Sequence, residues 1–345
     1  MGLSACNIQA LEPHFTPDDT VLVAPLHWGL GHAARCIPVI QWLNERCREI
    51  IIASDGAALE LLKKEFPALK HETLPAYGIR YTYENILVNI TIGSLRILKA
   101  IYQEHNEVPK LVQKHKITKI LSDNRLGLYH PDITSLYITH QVKILHPVKW
   151  IRKTGNYIHQ EFIHRFHHCL VPDYQGSQAL CPDLSNGNIK NATFTGPITR
   201  IGKLNIPMAY DILVLLSGPE PQRTILENKL LDILGSLEDY TIAFVRGIQP
   251  SLTPASQYPN HISFFSFASG AEIERLLNSS KLLIARSGYS TVMDMHQLDI
   301  KTIWIPTPGQ TEQEYLAERL STFENNTFLK QKDLNLLEEY IKITI

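Results

Sequence analysis

Short β-branched runs, each followed by a stretch with helical spacing, recur along the chain and restart half-way. Strands separated by helices cannot pair as hairpins. Each returns by a crossover and lies parallel to its neighbour, buried on both faces. In the first half the runs are Thr20–Pro25, Ile50–Ala53, Ile117–Leu121, Ser135–Thr139 and Cys169–Val171. Helical stretches lie over Ala33–Arg46, from Ser54-Asp-Gly56 to Phe66, and over Ile86–His115. In the second half the strands are Asp211–Leu216, Tyr240–Val245, His261–Phe265, Lys281–Ala285 and Lys301–Ile305, with helices over Arg223–Leu237 and Ala271–Asn278. The expected class is α/β, with two Rossmann-like domains. Thr195-Gly-Pro-Ile-Thr-Arg200 and the polar stretch to Tyr210 read as the linker, which puts the domains at 1–200 and 201–345.

A chain of 345 residues exceeds the size at which one core stops growing. Its 44% hydrophobic and 19% charged content suits two sizeable cores. The five cysteines, Cys6, Cys36, Cys47, Cys169 and Cys181, are odd in number and contain no Cys-x-x-Cys, which argues against a disulfide framework and a cysteine zinc site. No apolar run reaches the roughly 18–20 residues that span a bilayer. Residues 1–20 carry acids and no Lys or Arg, unlike a signal peptide. The expected location is the cytoplasm. Residues 1–200 hold 21 Lys/Arg against 17 Asp/Glu and 13 of the 15 histidines, while the remainder holds 12 against 17. A mildly basic, histidine-rich half suits an anionic ligand or membrane surface and is too weakly basic for nucleic acid.

Glycine loops follow the first strand of each half. In His27-Trp-Gly-Leu-Gly-His-Ala-Ala-Arg35, Gly29 and Gly31 permit a tight turn into a helix whose N-terminus favours a polar or anionic group. The loop is not a complete Gly-x-Gly-x-x-Gly, so a nicotinamide cofactor is not expected. His32 could bind a hydroxyl or take its proton near neutral pH. In Leu216-Ser-Gly-Pro-Glu-Pro-Gln-Arg223, Ser217 and Gly218 offer a hydroxyl and an unobstructed N–H to a phosphate. Arg286-Ser-Gly-Tyr-Ser-Thr-Val-Met-Asp294 follows another strand, with small residues Ser287 and Gly288 where a backbone approaches an anion. Asp294 lies about two helical turns on, where a carboxylate meets ribose hydroxyls. Together these loops suggest a nucleoside diphosphate held between two strand ends.

These motifs resemble, in order, those of GT-B glycosyltransferases of family 28, the family that includes the bacterial lipid-linked N-acetylglucosaminyltransferase. Gly29-Leu-Gly-His32 is similar to its first glycine loop, His140-Gln141 to its acceptor loop, and Gly196-Pro-Ile-Thr-Arg200 to its Gly-Asn-Pro-Val-Arg. The run from Arg286 through Ser290 and Thr291 to Asp294 is similar to its Arg-Ser-Gly-Ala-x-Thr-x-x-Glu and is the most specific match. Asp294 stands in place of glutamate, Ser217-Gly-Pro-Glu-Pro in place of Gly-Gly-Ser-x-Gly, and Gln313-Glu314 in place of Gln-Gln.

The resemblance implies two parallel sheets facing a central cleft. It makes 1–200 the acceptor-binding domain and 201–345 the nucleotide-sugar-binding domain. It also implies metal-independent, inverting transfer of a hexose or N-acetylhexosamine from a UDP-sugar, with no cofactor beyond that co-substrate. Donor contacts fall on Arg200, Ser217, Gly218, Arg286, Ser287, Gly288, Ser290, Thr291, Asp294, Gln310, Gln313 and Glu314. Acceptor contacts fall on Gly29, Gly31, His32, His140 and Gln141. His32 is the favoured base, with His140 and Asp123 as rivals. The acceptor is a polyprenyl-linked sugar, a glycolipid or a soluble glycan.

Other readings remain. A sugar-nucleotide 2-epimerase shares the architecture but needs several carboxylates around the sugar, and a binding protein could keep the fold without transfer. His164, His167 and His168 lie near helical spacing with no acid or cysteine to complete a ligand set, and are expected on a solvated helix face. Asp123-Asn-Arg125 reads either as a cleft loop or as a structural turn. Ile86–Tyr102, apolar with Arg96 and Lys99 interleaved, reads either as a patch resting on a membrane or as a buried interdomain helix.

Overall fold

The computed structural model describes residues 8–78, 86–146, 148–218, 220–247, 259–268, 270–298 and 300–345, the side chains of 86–95 excepted. The chain divides into two units, Met1–Arg200 and Ile201–Ile345, each built on its own parallel sheet.

In the first unit the order is β1 (Thr20–Pro25), α1 (Gly31–Asn44), β2 (Glu49–Ser54), α2 (Gly56–Glu65), β3 (Lys70–Thr73), α3 (Ile86–His115), β4 (Lys119–Asp123), β5 (Thr134–Ile138), α4 (Lys149–Ile163), β6 (His168–Val171), α5 (Pro182–Ser185) and β7 (Ala192–Phe194). The sheet runs β3-β2-β1-β4-β5-β6-β7. Successive side chains leave a strand on opposite faces, so β1 and β2 feed two cores at once. Val21, Val23, Ile50 and Ile52 pack with Ile37, Ile40 and Leu43 of α1. Leu22, Ala24, Ile51 and Ala53 pack on the other face with Val108 and Leu111 of α3. Each such Val, Leu or Ile side chain contributes roughly 1.5–3 kcal/mol when fully buried.

The second unit repeats the plan with β8 (Tyr210–Leu215), α6 (Gln222–Leu234), β9 (Ile242–Val245), β10 (Ile262–Phe265), α7 (Gly270–Asn278), β11 (Ser280–Ala285), α8 (Tyr289–Met295), β12 (Lys301–Trp304), α9 (Thr311–Leu320), β13 (Asn326–Phe328) and α10 (Leu337–Thr344). Its sheet runs β10-β9-β8-β11-β12-β13. Ile212, Val214, Phe244, Ile284 and Ile303 pack under Leu226, Leu230 and Leu234 of α6 and Leu337 and Ile341 of α10.

Both sheets reverse direction once. The first builds outward from β1 through β2 to β3 and then restarts at β4 on the other side of β1. The second does the same at β8 and β11. Ligands of open α/β sheets bind outside the carboxyl ends of the strands at such a reversal. The loops singled out in the sequence lie there: Leu26–Leu30 after β1, Asp123 at the end of β4, Leu216–Gly218 after β8, and Arg286–Gly288 after β11.

The sequence pattern did not reveal three strands. β3 has no buried residue, and β7 and β13 have only half-buried ones, because each is a short strand at a sheet edge. β4 starts and ends two residues later than its apolar run. Register with β1 pairs Val21 with Lys119 and Pro25 with Asp123, while Ile117 is spent in the turn before the strand, buried against α3. That shift makes Asp123 the terminal residue of β4.

Candidate active site

In the first unit, β4 delivers Asp123 to its carboxyl edge and the first turn of α1 brings His32 and Arg35 against it. Asp123 is completely buried. Its Oδ1 lies 2.8 Å from His32 Nδ1 and also pairs with Arg35 Nη2, and its Oδ2 takes Arg35 Nε at 2.5 Å and the Cys36 thiol at 3.4 Å. Arg35 Nη2 is also 2.9 Å from His32 Nδ1. A guanidinium cannot accept and a carboxylate cannot donate, so the proton on Nδ1 goes to Asp123. His32 Nε2 then carries the lone pair, and it makes no hydrogen bond among the described residues.

Two opposed effects act on these groups. Burial pushes the Asp123 carboxyl up, but Arg35 and His32 outweigh it and hold it far below the usual carboxylate range. Burial pulls the His32 imidazole down, Asp123 opposes this, and the net result is a lowered value that keeps the ring neutral. His140, two residues past the end of β5, is buried with Nδ1 3.3 Å from Arg35 Nη1. Arg35 therefore uses the nitrogen with which His140 would have accepted a proton. Of the three groups proposed as bases, Asp123 has both oxygens occupied, His140 has Nδ1 occupied, and His32 presents an unoccupied Nε2. Gly31 is half-buried and Gly29 exposed on the same loop. Gln141, three residues past β5, has its carbonyl accepting from His159 Nε2 at 2.8 Å.

A second buried network adjoins the first. Arg125, wholly buried, pairs with Asp55 and with Glu104 (2.6 Å) and donates from Nε to the Pro25 carbonyl at 3.0 Å. Asp55, one residue past β2, also meets His27 Nδ1 at 3.1 Å. Asp123-Asn-Arg125 is thus a turn whose two charged ends serve different networks.

In the second unit the donor residues proposed from sequence fall into two sets. Arg286, Ser287 and Gln313 are buried and tie strand-end loops together. Arg286 donates to the carbonyls of Ile305 (3.1 Å), Pro306 (2.8 Å) and Gln222 (3.0 Å), and burial brings its guanidinium down to about 9. Ser287 Oγ donates to the Gln313 carbonyl at 2.7 Å, and Gln313 Oε1 accepts from Thr307 N at 2.8 Å. The other set is accessible. Ser217 and Gly218 are exposed, and Gly288, Ser290, Thr291, Asp294 and Gln310 are half-buried. Glu314 is exposed, with its Oε1 accepting from Gly309 N at 3.0 Å. Gly218 has φ +106°, which favours glycine, and a Cβ on Gly288 would meet nothing within 4 Å, so that side of the loop is open. Arg200, half-buried, is the last residue of the first unit.

Four buried side-chain atoms have no hydrogen-bond partner among the described residues, and three of them (Arg286 Nε, Thr307 Oγ1 and Gln331 Oε1) lie past the ends of β11, β12 and β13. Gln331 lines a cavity of ≈ 460 Å³ with Pro306, Pro308, Glu314, Phe328 and Lys332. Orphaned polar atoms are rare in native proteins, and three of them fall on this edge of the second sheet.

Residues 225–343 match the family model described as the glycosyltransferase family 28 C-terminal domain. The chain is also 24% identical over 311 residues to an uncharacterized glycosyltransferase of Methanosarcina acetivorans, covering 83% of this chain and 79% of the relative. This protein is a GT-B glycosyltransferase with a family 28 C-terminal domain. The glycosyltransferase shares its fold with the glycosyltransferase of kitacinnamycin, at TM-score 0.67 and 12% identity over 95% of this chain and 90% of that one. It shares the fold also with the spinosyn rhamnosyltransferase SpnG complexed with thymidine diphosphate, at TM-score 0.59 and 14% identity over 94% and 90%.

The glycosyltransferase also corrects the reading of the histidine cluster. His164 caps the end of α4, but His167 Nδ1 accepts from Ser135 N at 3.1 Å and His168 lies on β6 with its ring 4.5 Å from His14. They share no helix face, because α4 stops at Ile163 and the chain turns straight into a strand. Sequence reasoning missed Arg35, Asp55 and His27. Arg35 could have been found, being three residues from His32 on one helix face. Nothing along the chain pairs His27 with Asp55; the β1–β2 contact does that.

Proposed function

We propose that this glycosyltransferase moves a hexosyl or N-acetylhexosaminyl group from a UDP-sugar to a hydroxyl of an acceptor glycan or lipid-linked sugar, with inversion and without a metal ion. The observation that carries the reading is the His32–Asp123 dyad at the β1/β4 reversal. A neutral imidazole with Nδ1–H bound to a carboxylate keeps Nε2 basic and correctly turned. The acceptor O–H proton passes to His32 Nε2, the oxygen bonds to the anomeric carbon, and the bond from that carbon to the diphosphate breaks. The leaving UDP takes the electron pair. Asp123 then stabilises the imidazolium, while Arg35, whose own charge opposes it, holds that carboxylate in place.

On the donor side, Ser217, Gly218, Gly288 and the first turn of α8 with Ser290 and Thr291 would receive the diphosphate. Asp294 would bind the ribose, and Gln310 and Glu314 the sugar. Arg286, Ser287 and Gln313 would hold those loops in place. The family resemblance supports uridine, and thymidine diphosphate on SpnG supports a nucleoside diphosphate in general.

A peripheral contact with the cytoplasmic face of a membrane fits α4. Trp150 and Tyr157, two turns apart, are 71% and 67% exposed, Ile158 is 48% exposed, and Lys149, Arg152 and Lys153 are also exposed. The Ile86–Tyr102 patch lies largely outside the described side chains. None of the described helices is long and apolar enough to cross a membrane.

Calorimetric titration with UDP, GDP and dTDP, each with and without magnesium, tests the donor reading. We expect UDP to bind equally well in both conditions, and Asp294→Ala to weaken it about tenfold through the loss of charge-assisted hydrogen bonds. Binding of no nucleotide would overturn the reading.

A further inference from the structure

His27 is the residue whose surroundings the transfer reaction leaves unexplained. It stands on the loop that leads into α1, five residues before His32, and is held in the same way. Its Nδ1 lies 3.1 Å from Asp55 Oδ2, and the other oxygen of that carboxylate pairs with Arg125. The backbone makes room for the ring. Gly56 has φ +52°, and a Cβ there would lie 2.3 Å from His27 Cε1 and 2.4 Å from Nδ1. His27 remains 31% exposed, so the imidazole is oriented without being enclosed.

The two dyads sit on either side of β1. Asp55 follows β2 and Asp123 ends β4, the two strands that flank β1 in the sheet. The β1–α1 loop and the first turn of α1 therefore lean one histidine each way against a carboxylate at the same sheet edge. In both rings the carboxylate fixes the proton on Nδ1, which leaves Nε2 as a hydrogen-bond acceptor. One such nitrogen suffices to take the proton of the attacking hydroxyl. A second, separately oriented and open to solvent, is a fixed acceptor for another hydroxyl.

We infer that His27 is a specificity-determining residue of the acceptor site, whose Nε2 accepts a hydrogen bond from a hydroxyl other than the one that reacts. The acceptor is then a polyol of the carbohydrate class, read through two hydroxyls, and not an isolated alcohol. This rests on the acceptor-side reading of His32. A site built to hydrogen-bond a hydroxyl discriminates strongly against analogues that lack it.

The test uses the full chain labelled with ¹⁵N-histidine, saturated with UDP, and titrated with a panel of methyl hexosides and methyl N-acetylhexosaminides or with n-butanol. Long-range ¹H–¹⁵N spectra read the tautomer of each ring. We expect both His27 and His32 to carry the proton on Nδ1, and a bound glycoside to shift both Nε2 signals. Butanol is expected to leave His27 unmoved. His27→Ala should weaken the glycoside about tenfold, the size of one lost hydrogen bond, with UDP affinity unchanged. A wild-type His27 protonated on Nε2 overturns the inference without any variant, and so does a panel in which no glycoside shifts His27. Absence of UDP binding in the same sample strikes the donor reading instead, so the two failures are distinct.

Discussion

Asp123 Oδ1 lies 2.8 Å from His32 Nδ1, and Arg35 grips the same carboxylate on both oxygens. The carboxylate is therefore a fixed anion that sets the tautomer of a neighbouring neutral ring. Removing the ring and removing the anion should have different signatures. His32→Ala should lower kcat by about 10²–10⁴, the range of a lost general base, with UDP affinity and stability nearly unchanged. Asp123→Asn should lower kcat similarly and also destabilise the first unit by about 3–5 kcal/mol, because the buried Arg35 loses the carboxylate that offsets its charge. Steady-state kinetics with urea unfolding on both variants separates the two effects.

The acid limb of the activity profile has a predictable place. The folded-state value of His32 lies below the ordinary 6.5, so the ring stays a base through the range where free histidine becomes protonated. Activity should hold as pH falls to 6.5 and decline only below it. Stability has the same sign. The unfolded chain takes up this proton near 6.5 and the folded chain does not, so the contribution is complete above 6.5 and is lost as pH falls from there through the folded value. His159, which burial also lowers, adds to the same slope. Thermal melting midpoints from pH 8 to pH 5 should be level and then fall. A flat profile throughout would contradict the neutral-ring assignment.

Arg286 should behave as a loop clamp. Its bonds go to three backbone carbonyls, so Arg286→Ala leaves those acceptors unsatisfied in a dry site, at a cost of about 3–5 kcal/mol. Lysine lacks the planar fork, and Arg286→Lys should recover little of the loss. Denaturant midpoints measure this directly. If Arg286→Ala weakened UDP binding with unchanged stability, the guanidinium would be contacting the nucleotide instead.

The α4 surface gives a prediction independent of catalysis. Reversing Lys149, Arg152 and Lys153 to glutamate should remove roughly 1 kcal/mol of attraction per cation to an anionic bilayer. Flotation with vesicles of one-third phosphatidylglycerol should retain the wild-type chain and lose the triple variant, with transfer to a soluble glycan unaltered. Equal flotation of both would remove the case for a membrane contact at α4.

The alternation of β-branched runs and helical stretches was enough to give the class, two parallel sheets, and most of the strands. That signal is strong wherever a strand is buried on both faces, as Val21–Ala24 and Ile50–Ala53 are. It fails at Lys70–Thr73, Ala192–Phe194 and Asn326–Phe328, where an edge position removes the burial that writes the pattern. The glycine loops and Arg286-Ser-Gly were also legible, because close backbone approach demands small residues whatever surrounds them.

Local pattern could not say which polar groups meet. Sheet register decided that Asp123 ends β4 opposite Pro25, within reach of His32 and Arg35. The β2–β1–β4 order decided that His27 and His32 lean on different carboxylates. Packing decided that Arg286 is wholly buried among backbone carbonyls while Ser217 and Gly218 stay exposed. Motifs and periodicity depend on neighbours along the chain, so the sequence alone determined them. The pairing of a histidine with a carboxylate 91 residues away depends on two strands lying in register, which only the tertiary structure sets.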